Sequence, residues 1–363
     1  MRIDTAAIDQ TRFQVREYNE GKHTLITRAP GFNYDYQPGE HHLRSLVVDT
    51  ATGEVVSSGF PKFFNYGEDA ETDRVFEQAD VVWYTPKHDG TLIIVSPQED
   101  GSTIIRTRGQ YDLGEFEDRV MPLVPSVLIS SAPWGRSYLF EYVGPKNRIV
   151  LPYTEERLEY LGLIRHADLS YCEHGHIRAC EDLATLASEI SEASMDEAGE
   201  GVVAHCMGPD GKVWLCKVKT KEYLTKHRLR FDMTDKKLRA LTAYKQLPSL
   251  EDYRRYIEQD VGLDFECVDA DVIHATRNRM IVAETTYRAF VAHCDKHSVH
   301  SRKGIATEAQ SFAEDKGLQT YLMMGEFWHC GHEQDNEKAR KALVAYGAQM
   351  TYRQVEALVG DLP

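Results

Sequence analysis

The sequence has little of what would mark a membrane protein or a secreted, disulfide-bonded one. No apolar run approaches the roughly 18 residues that a membrane span needs. Met1 to Gln10 lack the basic and apolar regions of a signal peptide. The 7 cysteines are scattered and odd in number, which argues against a disulfide framework and for a reducing compartment. We therefore expect a cytoplasmic protein.

Positive charge is also in deficit, with 42 Lys and Arg against 57 Asp and Glu and a formal net charge of −15. Nucleic-acid binding depends on Lys and Arg that neutralise phosphates, so the global basic footprint of such a protein is absent. Local basic clusters could still do this work, because screening limits distant charges to a Debye length of about 8–10 Å. The composition neither supports nor excludes a nucleic-acid substrate.

The 363 residues are enough for two domains, and the pattern of apolar residues changes along the chain. From about residue 43 to 220, short segments rich in β-branched and aromatic residues predict strands. These are Ser45–Val48, Val81–Tyr84, Leu92–Ser96, Thr103–Thr107, Tyr138–Val143, Leu158–Ile164, Gly201–Cys206 and Val213–Val218. The turn Gly208-Pro209-Asp210-Gly211 predicts that the last two form a hairpin, and residues 183–190 have the spacing of an amphipathic helix.

After about residue 235, Leu238, Leu241 and Tyr244 recur at helical spacing, as do Tyr287, Phe290, Val291 and Cys294. We therefore predict an α+β body over residues 1–234 and an all-helical domain over residues 235–363.

The segment that most clearly suggests catalytic chemistry is Lys87-His88-Asp89-Gly90-Thr91-Leu92. It places one lysine before an Asp-Gly turn and an apolar run. A free lysine has a pKa near 10.4, so making its amine mostly neutral at pH 7 costs about 4–5 kcal/mol. Neighbouring cations can supply this and would also neutralise charge on an attacked phosphate.

Four further motifs supply charged side chains that could surround this lysine. They are Arg106-Thr107-Arg108, Phe140-Glu141-Tyr142-Val143, Glu200-Gly201-Val202-Val203 and Lys217-Val218-Lys219. Basic residues at i and i+2 on a strand share one face, and taken singly each pair is most often a solvated sheet face. Together, a lysine, two basic pairs and two carboxylates are the composition of a site for a polyphosphate and a divalent metal.

In this order the motifs resemble the covalent nucleotidyltransferases, and within them the phage-type RNA ligase 1 family, which repairs tRNA. The narrower signatures are Phe60-Pro61-Lys62-Phe63-Phe64-Asn65 and the segment from Phe140 to Val150. The resemblance runs from about residue 30 to 225. It implies an antiparallel-sheet adenylation core, a helical C-terminal domain, and a host cytoplasm if a phage encodes the protein.

The resemblance also implies the activity. Lys87 attacks the α-phosphate of ATP to give lysyl-AMP, the AMP moves to a 5′-phosphate on RNA, and a 3′-hydroxyl displaces it. The implied cofactors are ATP and Mg²⁺ or Mn²⁺. The implied partner is RNA with 5′-phosphate and 3′-hydroxyl ends, with tRNA as one candidate. The protein is expected to act as a monomer.

Residue roles follow from the resemblance alone. The ATP contacts are Phe32, Arg44, Lys62, Lys87, Glu141, Lys217 and Lys219, and the supporting residues are Asp89, Gly90, Arg106, Arg108 and Tyr223. Glu200 matches the metal-linked carboxylate, and Glu251-Asp252 is the nearest acidic pair for a further metal ligand. Arg44 departs from the family pattern, because serine follows it where the family has glycine.

Two other readings of the core stay open: a capping guanylyltransferase or DNA ligase, and a non-catalytic RNA-binding module. Both enzymes usually have an OB-fold after the last motif, where this chain turns helical.

Cys172, His174, His176 and Cys180 have no standard zinc-ligand spacing. His293, His297, His300, Arg302 and Lys303 form a basic run, which is either a solvated helix face or an RNA phosphate contact.

Overall fold

The computed structural model describes residues 1–30, 36–37, 39–172, 178–233, 238 and 249–268. It also describes separate positions beyond these: 270, 272–274, 276–278, 281, 292–293, 295–299, 303–304, 307–308 and 311. The chain divides into two compact units, residues 1–225 and 226–363. The predicted boundary after residue 234 and the separate roles of the two domains stay predictions.

The first unit is α+β, as predicted, and antiparallel strand pairs dominate it. Its strands are β1 Phe13–Tyr18, β2 His23–Arg28, β3 Ser45–Asp49, β4 Val55–Ser58, β5 Phe64–Asn65, β6 Val82–Pro86, β7 Thr91–Pro97, β8 Thr103–Thr107, β9 Arg136–Val143, β10 Arg157–Arg165, β11 Tyr171–Cys172, β12 Arg178–Cys180, β13 Gly201–Met207 and β14 Val213–Lys219. The eight predicted strands are therefore confirmed. The predicted hairpin is confirmed as well, because β13 pairs antiparallel with β14.

Within the described residues these strands form three sheets, with the orders β1-β2-β3-β4, β11-β10-β9-β7-β8 and β12-β6-β13-β14-β5. The first two sheets share a core that contains Phe13, Leu46 and Ile94. The opposite face of the second sheet packs Ile93 and Val95 against the segment of short helices that follows β8. Ile93 and Val95 thus face one core and Ile94 the other, as expected for a strand that is buried on both faces.

Short helices connect and cover the sheets: α1 Ala70–Glu77, α2 Glu117–Val120, α3 Ser126–Ser130, α4 Leu183–Glu192, α5 Met195–Ala198 and α6 Lys221–Asp232. The predicted helix after Asp182 is confirmed as α4, which Asp182 caps by accepting a hydrogen bond from the Thr185 N–H. Leu183, Leu186 and Ala187 of α4 pack in a core with the third sheet.

Arg106 is the main departure from the predicted arrangement of basic residues. Its guanidinium is fully buried and donates to Ser57 Oγ at 2.8 Å and Ser45 Oγ at 2.9 Å. Arg108 lies beyond the end of β8 at Thr107 and is exposed. The prediction that the two arginines share one face is therefore wrong: the strand ends between them, and Arg106 is held in the core by hydroxyl and carbonyl oxygens.

In the second unit, α7 spans Leu250–Arg255 and continues as a π-helical turn over Tyr256–Val261. Tyr253, Ile257 and Leu263 share a buried core there. The other positions that predicted an all-helical domain lie outside the described residues, apart from Leu238. None of the helices in the described part of the chain has the length and apolar character of a membrane span.

Gly201 is required where β13 and β14 begin to pair. Its φ is +132°, and an added Cβ would lie 2.1 Å from the Val218 carbonyl oxygen. Gly211, in the turn of the same hairpin, has a φ of +71°, and a Cβ added there would have nothing within 4 Å. An alanine at Gly211 would therefore meet backbone strain alone, whereas an alanine at Gly201 would meet backbone strain and a steric clash.

We predict that Gly211→Ala lowers the free energy of unfolding by about 1–2 kcal/mol, the cost of a left-handed conformation. Gly201→Ala should cost at least about 1 kcal/mol more, because the hairpin must also open to admit the methyl group. Urea denaturation of both variants measures the difference. Equal losses would show that the close approach at Gly201 is not tightly constrained.

Candidate active site

Lys87 is placed by the junction of two strands. It follows β6 directly, and Pro86 at the end of β6 is paired with Val202 of β13. The Lys87 backbone N–H donates to the Gly201 carbonyl at 2.9 Å. The lysine is therefore fixed beside the first residue of β13, next to Glu200.

Glu200 joins two lysines. Its carboxylate is 2% exposed, and it contacts Lys87 Nζ through Oε2 at 2.8 Å and Lys219 Nζ through Oε1 at 2.8 Å. The pairing of Gly201 with Lys219 across the hairpin brings the second lysine there. Three sequence motifs thus meet in one ion triad, with a single carboxylate between two ammonium groups.

Asp89 anchors the turn after Lys87. Its buried carboxylate accepts hydrogen bonds from the backbone N–H groups of Val150 and Leu151 at 2.8 and 2.9 Å, and from the Tyr223 hydroxyl at 2.7 Å. The Asp89 N–H donates to the Tyr153 hydroxyl at 3.0 Å. The turn is therefore held to the end of the Phe140–Val150 motif and to α6.

Glu141 lies on β9, where it is paired with Leu92 of β7. Its Oε1 accepts a hydrogen bond from the Gly90 N–H at 3.1 Å. Burial raises the pKa of Glu141 to about 7, and the charges of Glu200 and Asp89 add to this increase, while Lys87 opposes it. Glu141 can therefore be protonated or ionised near neutral pH, which a surface glutamate cannot.

Lys62 and Lys217 form a second basic group, backed by aromatic rings. Lys62 pairs with Glu68 at 3.0 Å and lies over the Phe64 ring at 4.2 Å. Lys217 donates to the Phe63 carbonyl at 2.9 Å and lies over the Phe63 ring at 4.3 Å. The two-residue strand β5 makes this possible, since it pairs in parallel with β14 at Lys217.

Burial lowers the pKa of Lys217 to about 7, and the positive charges of Arg44, Lys62, Lys87 and Lys219 lower it further. This electrostatic effect is the one that we expected at Lys87. At Lys87 itself, the Glu200 carboxylate lies 2.8 Å from Nζ and also contacts Lys219. The activation of Lys87 by neighbouring cations stays a prediction.

The metal-ligand candidates differ in what the structure shows for them. Glu200 is suited to a magnesium ion bound to phosphates, because Mg²⁺ usually takes only one or two protein carboxylates. Both of its oxygens contact lysines, so ligation would displace an ammonium group. Asp252 forms a helix-capping box with Ser249 at the start of α7, and Glu251 beside it is exposed. The metal role of all three residues stays a prediction.

Two predicted groups are only partly within the described residues. Phe32 lies outside them, as do His174 and His176 of the Cys172 cluster. Sequence reasoning also missed Tyr153 and Glu68, which contact the Asp89 turn and Lys62. Tyr153 follows the Phe140–Val150 motif by three residues, and Glu68 follows the Phe60–Asn65 motif by three. Proximity to these motifs was the signal that could have found them.

Comparison with known proteins gives matches to RNA ligases. A model of the RNA ligase family matches residues 42–123. A protein of Thermovibrio ammonificans named "Putative RNA ligase" is 28% identical over 129 residues, which are 33% of this chain and 33% of that protein. A "Putative bifunctional polynucleotide kinase/RNA ligase" of Autographa californica nuclear polyhedrosis virus is 24% identical over 254 residues, 60% of this chain and 35% of that one.

Among solved structures, an archaeal ATP-dependent RNA ligase (form 2) superposes with a TM-score of 0.47 at 16% identity, covering 76% of this chain and 77% of that one. An RNA ligase of Naegleria gruberi with PPi gives a TM-score of 0.31 at 15% identity, over 43% and 55% of the two chains. The chain spans about a third of the length of the two curated relatives. The family match covers Arg44, Lys62 and Lys87, and with the two relatives it confirms the expected resemblance of this chain to the phage-type RNA ligase family.

Proposed function

We propose that the protein is an ATP-dependent RNA ligase that joins 5′-phosphate and 3′-hydroxyl RNA ends. The observation that carries the proposal is the ion triad of Lys87, Glu200 and Lys219. These residues are 113 and 19 positions apart in sequence, yet both lysines lie 2.8 Å from one buried carboxylate. The family match to the segment around Lys87 supports the same assignment.

In the first step, the lone pair of Lys87 Nζ forms a bond to the α-phosphorus of ATP, and the bond from that phosphorus to the pyrophosphate oxygen breaks. The amine must first lose a proton, and Glu200 Oε2, at 2.8 Å, is within reach to accept it. Lys217 and Lys219 would neutralise charge on the phosphate. Glu141, matched to the ribose-linked carboxylate, would contact the nucleoside.

In the second step, a 5′-phosphate oxygen of RNA attacks the phosphorus of lysyl-AMP, and the amine of Lys87 leaves. In the third, a 3′-hydroxyl attacks the adenylated 5′-phosphate, and AMP leaves. Arg44 and Lys62 would hold the triphosphate. Mg²⁺ or Mn²⁺ that enters with ATP would add positive charge at the phosphates, with Glu200 as its protein ligand.

The biological substrate is proposed from the resemblance. A role in RNA or tRNA repair, with the second unit in contact with RNA, fits the family, and a cytoplasmic location fits the composition. Net charge of −15 requires that RNA be bound through local basic groups such as those around Lys87.

Incubation with α-labelled ATP and Mg²⁺ should add one AMP to the wild-type protein at Lys87. Lys87→Arg should abolish the adduct, because it keeps a positive charge opposite Glu200 but removes the nucleophilic amine. Peptide mass spectrometry locates the adduct. Lys212→Ala, at an exposed lysine in the β13–β14 turn, is the control and should be labelled normally.

An AMP adduct on the Lys87→Arg variant would remove Lys87 as nucleophile. A GMP adduct in place of AMP would favour a capping enzyme. Sealing assays of the wild type with 5′-phosphorylated RNA and DNA then separate RNA from DNA ligation.

Glu200→Gln should slow adduct formation by about 10²-fold or more, because both lysines lose their anionic partner and the amine loses its proton acceptor. Glu192→Gln is a matched control, since Glu192 pairs with Lys221 on the surface and exposed pairs contribute little. Single-turnover labelling measures both rates. A Glu200→Gln variant as fast as the control would contradict the role of the triad.

Binding of ATP should take up a proton near pH 7 to 8. Lys217 has a pKa of about 7, so it is mostly charged below that pH and mostly neutral above it. An adjacent polyphosphate favours the ammonium and raises this pKa, so affinity should fall as pH rises through the range. Calorimetry in buffers of different ionisation enthalpy measures the uptake. Lys217→Met should reduce the uptake, and a variant that takes up as much as the wild type would contradict the perturbed lysine.

A further inference from the structure

His293, His297 and Glu308 form a compact group of metal-ligating side chains in the second unit. Their ligand atoms all lie within 4.8 Å of one another. His293 Nε2 is 2.7 Å from Glu308 Oε2, and the centroids of the two imidazole rings are 4.3 Å apart. The proposed chemistry at Lys87 does not use these residues, and His293 and His297 belong to the basic run noted in the sequence.

The backbone explains why the two histidines converge. The His297 N–H donates to the His293 carbonyl at 3.2 Å, which is the i to i−4 bond of one helical turn. Side chains four residues apart on a helix lie on the same face. Ser298 then has a φ of +53°, and Thr307 Oγ1 donates to the Lys303 carbonyl four residues earlier. Glu308 thus belongs to a later helical turn that brings its carboxylate to the histidines.

The three side chains offer two imidazole nitrogens and one carboxylate oxygen, all within 4.8 Å of one another. A single cation could therefore accept a lone pair from each of them.

We propose that His293, His297 and Glu308 bind a divalent transition-metal ion of the Zn²⁺ class. Imidazole nitrogen favours such ions over Mg²⁺, which prefers oxygen ligands. Ligand atoms on a tetrahedral Zn²⁺ are about 3.4 Å apart, given bonds near 2.0–2.2 Å. His297 is exposed and the other two are part-buried, so side-chain rotations can close the remaining distance.

Three protein ligands leave a fourth position open to water or another ligand. The ion would also connect the helical turns on either side of Ser298, across the ten residues between His297 and Glu308. Metal binding would therefore stabilise the second unit, since a site formed only in the folded state couples binding to folding.

The test uses the full chain, freed of metal with a chelator and then titrated with Zn²⁺ against a competing indicator and, separately, with Co²⁺. The wild type should bind one ion, and the visible bands of Co²⁺ should indicate tetrahedral nitrogen and oxygen ligation. His297→Ala should weaken Zn²⁺ binding at least about tenfold. Loss of a group that only supports a ligand already costs about 10–100-fold in metal affinity, and His297 is proposed as a ligand itself. Zn²⁺ should also raise the melting temperature of the wild type but not of this variant.

His274→Ala is the matched control, because His274 is another exposed histidine of the second unit, and it should bind as the wild type does. Glu308→Gln keeps the size of the side chain and should also weaken binding, which guards against misfolding of a single variant. Wild-type affinity in both ligand variants would overturn the proposal. An intense sulfur-to-cobalt charge-transfer band would also overturn it, since it would assign the ion to cysteines.

Discussion

The site depends on one buried carboxylate that holds two ammonium groups. Glu200 is 2% exposed and contacts Lys87 and Lys219 at 2.8 Å each, so one negative charge sits between two positive ones. Two lysines at this separation would repel each other without it. The carboxylate therefore allows a dense basic site to exist in a folded apo protein. It also directs the Lys87 amine, which has one defined partner instead of a set of solvated conformations.

Lys87 and Lys217 differ in the groups that surround their ammonium groups. Lys87 has an anionic partner, whereas Lys217 is bound by a backbone carbonyl and an aromatic ring and carries the lowered pKa. A group with a pKa of about 7 can become charged when an anion arrives, without the cost of keeping a full extra charge buried beforehand. Glu141 on β9, with a pKa raised to about 7, can change its charge near neutral pH in the same way.

The sequence predicts the strands that contain the motifs, because their β-branched runs and turn residues are local signals. It does not predict β1, β2 and β4, although each pairs with a strand adjacent in sequence, and it does not predict β5, β11 and β12, which have only two or three residues. Among site residues, Glu200 and Lys219 could be placed together, since one hairpin joins them. The burial of Arg106 could not be predicted, because a charged side chain in a strand indicates solvent unless its hydroxyl partners Ser45 and Ser57 are known to meet it.

The short edge strand β5 has a consequence for how the site opens. Phe64 and Asn65 pair with β14 and the Tyr66 N–H donates to the Lys217 carbonyl, whereas β13 and β14 pair over seven residues. Edge segments with few hydrogen bonds detach at much lower free energy than the interior of a sheet. We therefore expect the backbone of residues 64–66 to separate from β14 at a lower free energy than β13 does, while Phe60 and Phe63 stay packed against the core.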